Sequence, residues 1–297
     1  MFQILCIAER GAHLSVSEGR VAVRKKDSVP ETFVSFDDLD AVIVEENAVS
    51  LTGSLLAQLA GKRIPVILCD THHLPAAFLS PVISHSSESH QLLRNQISAP
   101  LPWKKQMWQK LIRAKIAGQS ANLLLRGKKS LAPLIPLVRS GDPGNIEARA
   151  AAAYWQQLHF FPARQRDGRD ANILFNYAYT ILYSVFARYL CAAALNPDIG
   201  IHHHGKYNPF SLASDLMEPF RPIVDSCVFL LIDSAQDQIV DLLPGTRRAL
   251  LKGIYDCQVR IGQRCFALPD AVNEFVQSFK RALTDRDPSL LLLPETV

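Results

Sequence analysis

The sequence predicts an α+β fold, in which a small N-terminal β-sandwich domain is followed by a larger all-α domain. Residues 1 to about 80 consist of short runs rich in β-branched and apolar residues, separated by turn residues such as glycine. From Trp103 onward, apolar residues instead recur at the three- and four-residue spacing of helices. The chain has 297 residues, of which 48% are hydrophobic. This is enough to fill one good core or two modest ones.

The N-terminal β domain, residues 1–80, is predicted to contain several strands and one helix. The strands are expected over residues 2–8, 13–17, 20–24, 32–36, 41–44 and 64–69. Gly19 marks a hairpin turn between the second and third strands. Thr52 is a natural N-cap for a helix over residues 55–60, and Gly61 stands where that helix should end.

The rest of the chain is predicted to be a linker followed by helices. Prolines and a polar stretch at 84–88 predict the linker over residues 81–102, before a helical domain over residues 103–297. Trp108, Leu111, Lys115 and Gln119 recur at helical spacing in the first helix. Further helices are expected over residues 145–158, 171–195, 211–230, 245–251 and 270–283, with a hairpin near 255–265 that turns at Gly262.

Composition narrows the function classes. The net charge of +4 and the pI near 8.7 permit a polyanionic partner without requiring one. The six cysteines form no C-x-x-C pair, so a reducing cytosol is the default environment. Glu9 and Arg10 interrupt the first apolar stretch, and no apolar run reaches the roughly 18 residues of a membrane helix. We therefore expect a soluble, cytoplasmic protein with no membrane partner.

Candidate chemistry begins at Glu147, in a turn that feeds an alanine-rich helix. A carboxylate in a first helical turn is favourable for the helix dipole in any case, so this role alone could account for it. The alanines at positions 150–153 bring the helix close to whatever it packs against. A carboxylate beside such a surface would be partly dehydrated and would attract a cation.

Two further segments place polar residues within apolar sequence. In the run His202, His203 and His204, at most one or two imidazoles could bind one ion, and the run could equally be a solvated loop. Asp215 and Glu218 are three residues apart and so share a helix face, although Asp215 could instead pair with Arg221. Two carboxylates and an imidazole would form a site for Mg²⁺ or Mn²⁺, but spacing alone does not join these distant segments.

The sequence resembles the CRISPR-associated integrase family, CRISPR-associated protein one, and is most similar to its type II members. The resemblance rests first on Gly200-Ile201-His202-His203 and on Asp215-Leu216-Met217-Glu218-Pro219-Phe220-Arg221-Pro222. It continues in the stretch around Glu147 and in Asn172-Ile173-Leu174-Phe175-Asn176-Tyr177-Ala178-Tyr179. In the type II pattern the histidine lies fifteen positions before the glutamate, which selects His203.

The resemblance implies that the α domain is catalytic and that Glu147, His203 and Glu218 hold Mg²⁺ or Mn²⁺. It further implies that Asp215, Asn172, Asn176 and Tyr179 orient these ligands. His204, Lys206, Arg113 and Lys115 are candidates for contacts with DNA phosphates, although each could equally lie on a solvated helix face. Such contacts would make DNA binding salt-dependent.

The implied activity is spacer integration, in which the 3′-hydroxyl ends of captured double-stranded DNA are joined to phosphodiesters of a repeat array. The implied partners are a second copy of the chain, bound through the β domain, and CRISPR-associated protein two in an adaptation complex. Two alternatives remain open. One is a metal-dependent nuclease that acts on branched DNA in repair, and the other is a DNA-binding scaffold without metal chemistry.

Overall fold

The computed structural model describes residues 3–25, 31–71, 75–79, 89–158, 172–203, 210–234 and 242–296. The chain forms two compact units, Met1–His85 and Ser86–Val297. The first unit is rich in strands and the second is mainly helical, which confirms the predicted fold class. None of the described helices is long and apolar enough to cross a membrane.

The N-terminal unit contains two four-stranded sheets and helix α1, Gly53–Gly61. One sheet has the order β1-β5-β7-β8, and the other has the order β4-β3-β2-β6. The strands are β1 Gln3–Ile7, β2 His13–Ser17, β3 Arg20–Arg24, β4 Thr32–Val34, β5 Leu39–Val44, β6 Ser50–Leu51, β7 Val66–Cys69 and β8 Pro75–Leu79. Buried side chains of both sheets share one core with α1, including Leu14, Val42, Leu55 and Leu59.

Local chemistry accounts for the predicted turn and cap of this unit. Strands β2 and β3 pair with Ser17 opposite Arg20, so the hairpin turns on Glu18 and Gly19. Both turn residues have positive φ, at 50° and 70°, as a twist-matched two-residue turn requires. The hydroxyl of Thr52 accepts the backbone N–H of Leu55 and caps α1, as predicted.

The C-terminal unit contains eight described α-helices, of which α5 is buried over most of its length and packs against α6, α7, α8 and α9. The helices are α2 Ser89–Ile97, α3 Leu101–Leu125, α4 Ile146–Gln157, α5 Asn172–Ala192, α6 Ser211–Leu216, α7 Arg221–Ser234, α8 Pro244–Asp256 and α9 Leu268–Thr284. The predicted hairpin is present as β9, Gln258–Ile261, and β10, Arg264–Ala267. Strand β11, Pro294–Thr296, pairs with β9 and adds a third strand that sequence reasoning did not place.

The segment 81–102, predicted as a linker, differs from that prediction over its described part. Residues Ser89–Ile97 form α2, and Leu101 begins α3. The amide of Gln96 bonds the carbonyl oxygen of Asn196 over 2.8 Å and accepts the N–H of Asn196 over 2.9 Å. These tertiary bonds hold α2 against the helical unit. They explain why this polar sequence with flanking prolines forms a helix.

The helical core contains an aromatic cluster of Phe186, Phe220 and Phe275, with ring centroids 5.2 to 6.0 Å apart. All three rings are fully buried. We expect Phe275→Ala to lower the free energy of unfolding by about 3–5 kcal/mol, because it leaves a cavity between α5, α9 and the turn at Phe220. Chemical denaturation monitored by circular dichroism measures this loss.

The matched control is Leu125→Ala, because Leu125 is 81% exposed at the end of α3. Its truncation should change stability by less than about 0.5 kcal/mol. Equal losses for the two variants would contradict the assignment of the phenylalanine cluster to the core.

Candidate active site

Glu218 begins the short 3₁₀ turn Glu218–Phe220 that separates α6 from α7. Pro219 lacks the backbone N–H that would continue the helix, so the chain restarts there, and the single helix expected over residues 211–230 is divided into α6 and α7. The Glu218 side chain is almost fully buried. Arg221 Nε donates to Glu218 Oε1 over 2.8 Å, and Lys115 Nζ lies 2.5 Å from Oε2.

Glu147 lies in the first turn of α4, and Asp142 fixes the start of that helix. The Asp142 carboxylate accepts the backbone N–H groups of Ile146 and Glu147, at 3.0 and 2.9 Å. These bonds cap the N-terminus of α4 and so fix the backbone from which the Glu147 side chain extends. Glu147 Oε1 accepts from Lys115 Nζ over 2.6 Å, and the glutamate side chain remains 24% exposed.

Lys115 therefore lies between the two glutamates, and one ammonium joins α4 to the turn at Glu218. Burial alone would lower the pKa of Lys115, but Glu218 and Glu147 outweigh it and raise that pKa above its usual value. Burial would raise the pKa of Glu218, but Arg221 and Lys115 outweigh it and lower that pKa to about 2. Both groups are thus charged near neutral pH.

Asp215, in α6, organises the segment that carries His203. Its carboxylate is fully buried and accepts the backbone N–H groups of Ile201, His202 and His203 at 2.6, 2.9 and 3.2 Å. It also bonds His203 Nδ1 at 2.5 Å. This bond is the largest cause of a raised His203 pKa, which burial opposes and the charges of Asp215, Glu218 and Glu147 reinforce.

Two residues shape the histidine segment around Asp215. A side chain at Gly200 would place its Cβ 2.4 Å from His203 O and 3.0 Å from an Asp215 oxygen, so only glycine fits there. Trp108, from α3, stacks on His202 with ring centroids 4.1 Å apart and meets His203 edge-on at 5.5 Å. These packing contacts give the two histidines different surroundings, His202 on the indole face and His203 on Asp215.

A buried hydrogen-bond network supports the site from beneath. Asp225, in α7, accepts from the hydroxyls of Tyr154 and Tyr179, at 3.1 and 2.5 Å. Asn122, in α3, donates to the Tyr154 hydroxyl over 3.1 Å. The guanidinium of Arg221, which bonds Glu218, lies 4.6 Å from the centre of the Tyr179 ring. The network thereby connects α3, α4, α5 and α7 behind the two glutamates.

The predicted ligands are thus gathered into two groups. Glu147 and Glu218 meet at Lys115, whereas His203 is held by Asp215. Over the described ranges, no three His, Cys, Asp or Glu side chains are close enough together to hold a metal ion. The alternative pairing of Asp215 with Arg221 is not the one formed, since Arg221 bonds Glu218.

The remaining predicted site residues have different surroundings. Tyr179 supports Asp225, while Asn172 is fully buried and Asn176 half-buried on α5. The suggestion that the two asparagines orient the metal ligands stays a prediction. His204 and Lys206, predicted to contact DNA, lie outside the described residues.

Two of the residues predicted to contact DNA have intramolecular partners, and their contact with DNA stays a prediction. Lys115 is only 8% exposed and is paired with both glutamates, so it belongs to the site rather than to a solvated helix face. Arg113 directs Nε and Nη2 at the carbonyl oxygen of Val138, at 3.1 and 2.9 Å. These two bonds anchor the segment between α3 and α4, and they engage the Nε and Nη2 groups of the guanidinium.

The carboxylate oxygens and the imidazole nitrogen of this site are donor atoms of the kind that bind divalent cations. Two carboxylates of separate elements share one ammonium between them, so a cation is already favoured at that position. His203 uses Nδ1 for Asp215, which leaves Nε2 as the ring nitrogen for a metal in the carboxylate–histidine–metal arrangement. Glu147, Glu218 and His203 Nε2 would hold the ion, and Lys115 would have to move from the gap.

The fold and the site together define a two-unit α+β protein with a carboxylate and histidine site in its helical unit. A casposase bound to integration product shares this fold with a TM-score of 0.79 and 19% identity, covering 96% of this chain and 91% of that chain. A chain of a Cas6-RT-Cas1–Cas2 complex also has a TM-score of 0.79 and 19% identity, covering 98% of this chain and 36% of that chain.

Sequence comparison identifies the family. The family model described as CRISPR associated protein Cas1 matches residues 5–136 and 144–252. The CRISPR-associated endonuclease Cas1 of Neisseria meningitidis serogroup C (strain 8013) is 31% identical over 293 residues, covering 97% of this chain and 95% of the relative. The chain therefore belongs to the Cas1 family, and the resemblance seen in the sequence is confirmed.

Proposed function

We propose that this chain is a divalent-metal-dependent DNA integrase of CRISPR adaptation. It joins the 3′-hydroxyl ends of captured DNA to phosphodiesters of a repeat array by transesterification. In this reaction the attacking hydroxyl loses its proton to water as its oxygen bonds to phosphorus. The phosphorus–oxygen bond of the repeat strand breaks, and the displaced oxygen takes up a proton from water and leaves as a new 3′-hydroxyl. The exchange of one phosphodiester for another needs no external energy source.

The observation that carries the proposal is the convergence of Glu147 and Glu218 on one buried cation position, with Asp215-bound His203 in the same helical unit. Oxygen donors with one imidazole suit Mg²⁺ or Mn²⁺. Membership of the Cas1 family supports the same reading. A casposase bound to integration product adopts a similar fold, which supports strand transfer as the proposed activity.

Each residue has a distinct part in this proposal. Glu147, Glu218 and His203 hold the ion, Arg221 fixes one oxygen of Glu218, and Asp215 orients the imidazole of His203. When bound, the ion supplies activation of the attacking hydroxyl and neutralises charge on the phosphate. No side chain forms a covalent bond to DNA, so the protein positions the reacting groups and stabilises charge.

The proposed partners follow from the comparisons and the charge. Double-stranded DNA, as both fragment and repeat, is the substrate, and the net charge of +4 is compatible with it. A complex containing Cas1 and Cas2 includes a chain of similar fold. We therefore propose that this chain acts as a homodimer together with CRISPR-associated protein two.

A metal-dependent nuclease is the second candidate, because the Neisseria relative is named an endonuclease. It would use the same site, with water in place of the attacking 3′-hydroxyl. The two functions differ in their products on a supercoiled plasmid that carries the repeat array. Integration yields labelled fragment joined to the plasmid, whereas hydrolysis yields a nick without joined label.

The test of the proposal incubates the chain and its Cas2 partner with labelled fragment and this plasmid. We expect joined product with Mg²⁺ or Mn²⁺, and at least a 100-fold loss, as an order of magnitude, when a chelator removes the ion. A fragment with 3′-dideoxy ends is the control, since it has no attacking hydroxyl and should yield no joined product. Joined product that persists in the chelator would contradict the metal assignment, and nicking without joining would favour the nuclease.

A further inference from the structure

We propose that Lys115 is an internal substitute for the metal ion, which keeps Glu147 and Glu218 together and gives way when a divalent ion and a DNA phosphate arrive. The inference rests on the proposed function. It concerns when the site loads its ion. Lys115 would thereby keep metal affinity low in the DNA-free protein.

The position of the ammonium is the first observation. Lys115 Nζ lies 2.6 Å from Glu147 Oε1 and 2.5 Å from Glu218 Oε2, so it bridges carboxylates from two different elements. Two carboxylates this close would repel each other if nothing positive lay between them. Lys115 comes from α3, whose neighbouring turns are also buried, so the chain delivers this charge from its interior. It is therefore a built counter-charge rather than a chance surface contact.

The charge balance of the directly ion-paired side chains is the second observation. Lys115 and Arg221 carry two positive charges, which balance the two negative charges of Glu147 and Glu218. The other two buried carboxylates have partners of their own, since Asp215 is bonded to His203 and Asp225 accepts from Tyr154 and Tyr179. Adding a divalent ion to this balanced set would leave two excess positive charges in a poorly hydrated place, which is costly. With Lys115 displaced the excess falls to one, and one phosphodiester oxygen anion would remove it.

The geometry also explains how Lys115 could leave. Lysine carries its charge on a flexible four-carbon stem, so the ammonium can move several ångströms without moving α3. Arg221 has a second fixed contact against the ring of Tyr179, and it keeps Glu218 oriented while the other oxygen changes partner. Glu218 thus has one fixed cation, Arg221, and the two glutamates share one replaceable cation, Lys115.

The test measures Mn²⁺ binding to the purified full chain without DNA. Binding is followed by titration calorimetry and by the decrease of the electron paramagnetic resonance signal of free Mn²⁺. We expect Lys115→Met to bind Mn²⁺ at least about tenfold more tightly than wild type, because one positive charge beside two ligands is removed. Without metal, the same variant should melt at a lower temperature than wild type, since the two glutamates lose a shared partner.

Lys110→Met is the matched control. It removes the same charge from the same helix, but Lys110 Nζ donates to the carbonyl oxygen of Pro288 and not to the site glutamates. Its Mn²⁺ affinity should stay within about twofold of wild type, as expected for a distant charge. If Lys115→Met does not fold, Lys115→Gln is neutral and polar, and the same tighter binding is expected of it.

A second experiment repeats the titration with a short DNA duplex. Because DNA itself binds Mn²⁺, the Mn²⁺ bound by Glu218→Gln with duplex is subtracted as background. Duplex should strengthen Mn²⁺ binding by wild type more than by Lys115→Met, because the variant no longer needs the phosphate charge. Equal or weaker DNA-free binding by both Lys115 variants would overturn this inference and leave the metal site standing. No Mn²⁺ binding by any protein, with or without duplex, would overturn the proposed function and this inference with it.

Discussion

Glu218→Gln is expected to reduce integration into a supercoiled repeat plasmid by at least about 100-fold, because it removes a metal ligand while keeping the side-chain volume. Glu218 is the most buried of the three proposed ligands and is held by both Arg221 and Lys115. Glutamine can still accept a hydrogen bond from Arg221, but it carries no negative charge. Without divalent ions, binding of the DNA fragment should be largely unchanged, since phosphate contacts with the protein do not depend on this carboxylate.

The measurement is joined product per unit time, with fragment binding followed by fluorescence anisotropy. Glu295→Gln is the matched control, because its side chain is 70% exposed in β11, and it should integrate at the wild-type rate. Removing one partner of a buried ion pair also costs stability, by about 3–5 kcal/mol, so melting curves must show that the variant is folded at the assay temperature. Glu147→Gln should give the same loss of activity with a smaller loss of stability, since Glu147 is more exposed.

Integration at the wild-type rate by both glutamine variants would rule out Glu147 and Glu218 as metal ligands.

Local sequence signals predicted much of the fold. The hairpin at Gly19 and the cap at Thr52 are each determined by one or two residues, and each is found where it was expected. Strand β11 and helix α2 were missed because their stability comes from distant partners. Strand β11 forms on β9, and α2 is tied to Asn196 through Gln96.

In the site, too, local signals were found and contacts between distant residues were missed. The sequence supplied Glu147, Asp215 and Glu218 as candidates, and the resemblance selected His203. Neither indicated that Lys115 lies between the two glutamates. Lys115 occurs at ordinary helical spacing among apolar residues, so its pattern is that of any lysine on a partly buried face. Its position between two carboxylates depends on how α3, α4 and the turn at Glu218 pack. The only signal available in the sequence was that a lysine stands among the apolar positions of a predicted helix.

Trp108 was missed for a related reason. Its place in the apolar pattern of α3 predicted only a core residue, and it is indeed almost fully buried. In the folded chain it also forms the platform on which His202 stacks and which His203 meets edge-on. Contacts of this kind join residues about a hundred positions apart, and periodicity within one helix carries no information about them.

Asp215→Asn is expected to reduce integration by about 10- to 100-fold, the usual effect of losing a group that orients a metal ligand. The carboxylate accepts three backbone N–H groups and bonds the ring of His203. An asparagine has one accepting oxygen, and its amide N–H₂ would face a backbone donor or the imidazole. The segment from Gly200 to His203 should therefore loosen, and the imidazole should lose its fixed orientation while all three ligands remain present.

Two readouts separate this positioning role from a general loss of structure. Because the bond to Asp215 is the largest cause of the raised pKa of His203, the imidazole signals of His203 should titrate at lower pH in Asp215→Asn. Mn²⁺ affinity should fall by about tenfold at a pH where the histidine is neutral in both proteins. Asp256→Asn, at the exposed end of α8, is the control and should change neither quantity. An unchanged His203 titration together with full integration would mean that Asp215 does not act through the imidazole. A lower pKa with normal Mn²⁺ affinity would instead place His203 outside the metal site, and Glu147 and Glu218 would then hold the ion without it.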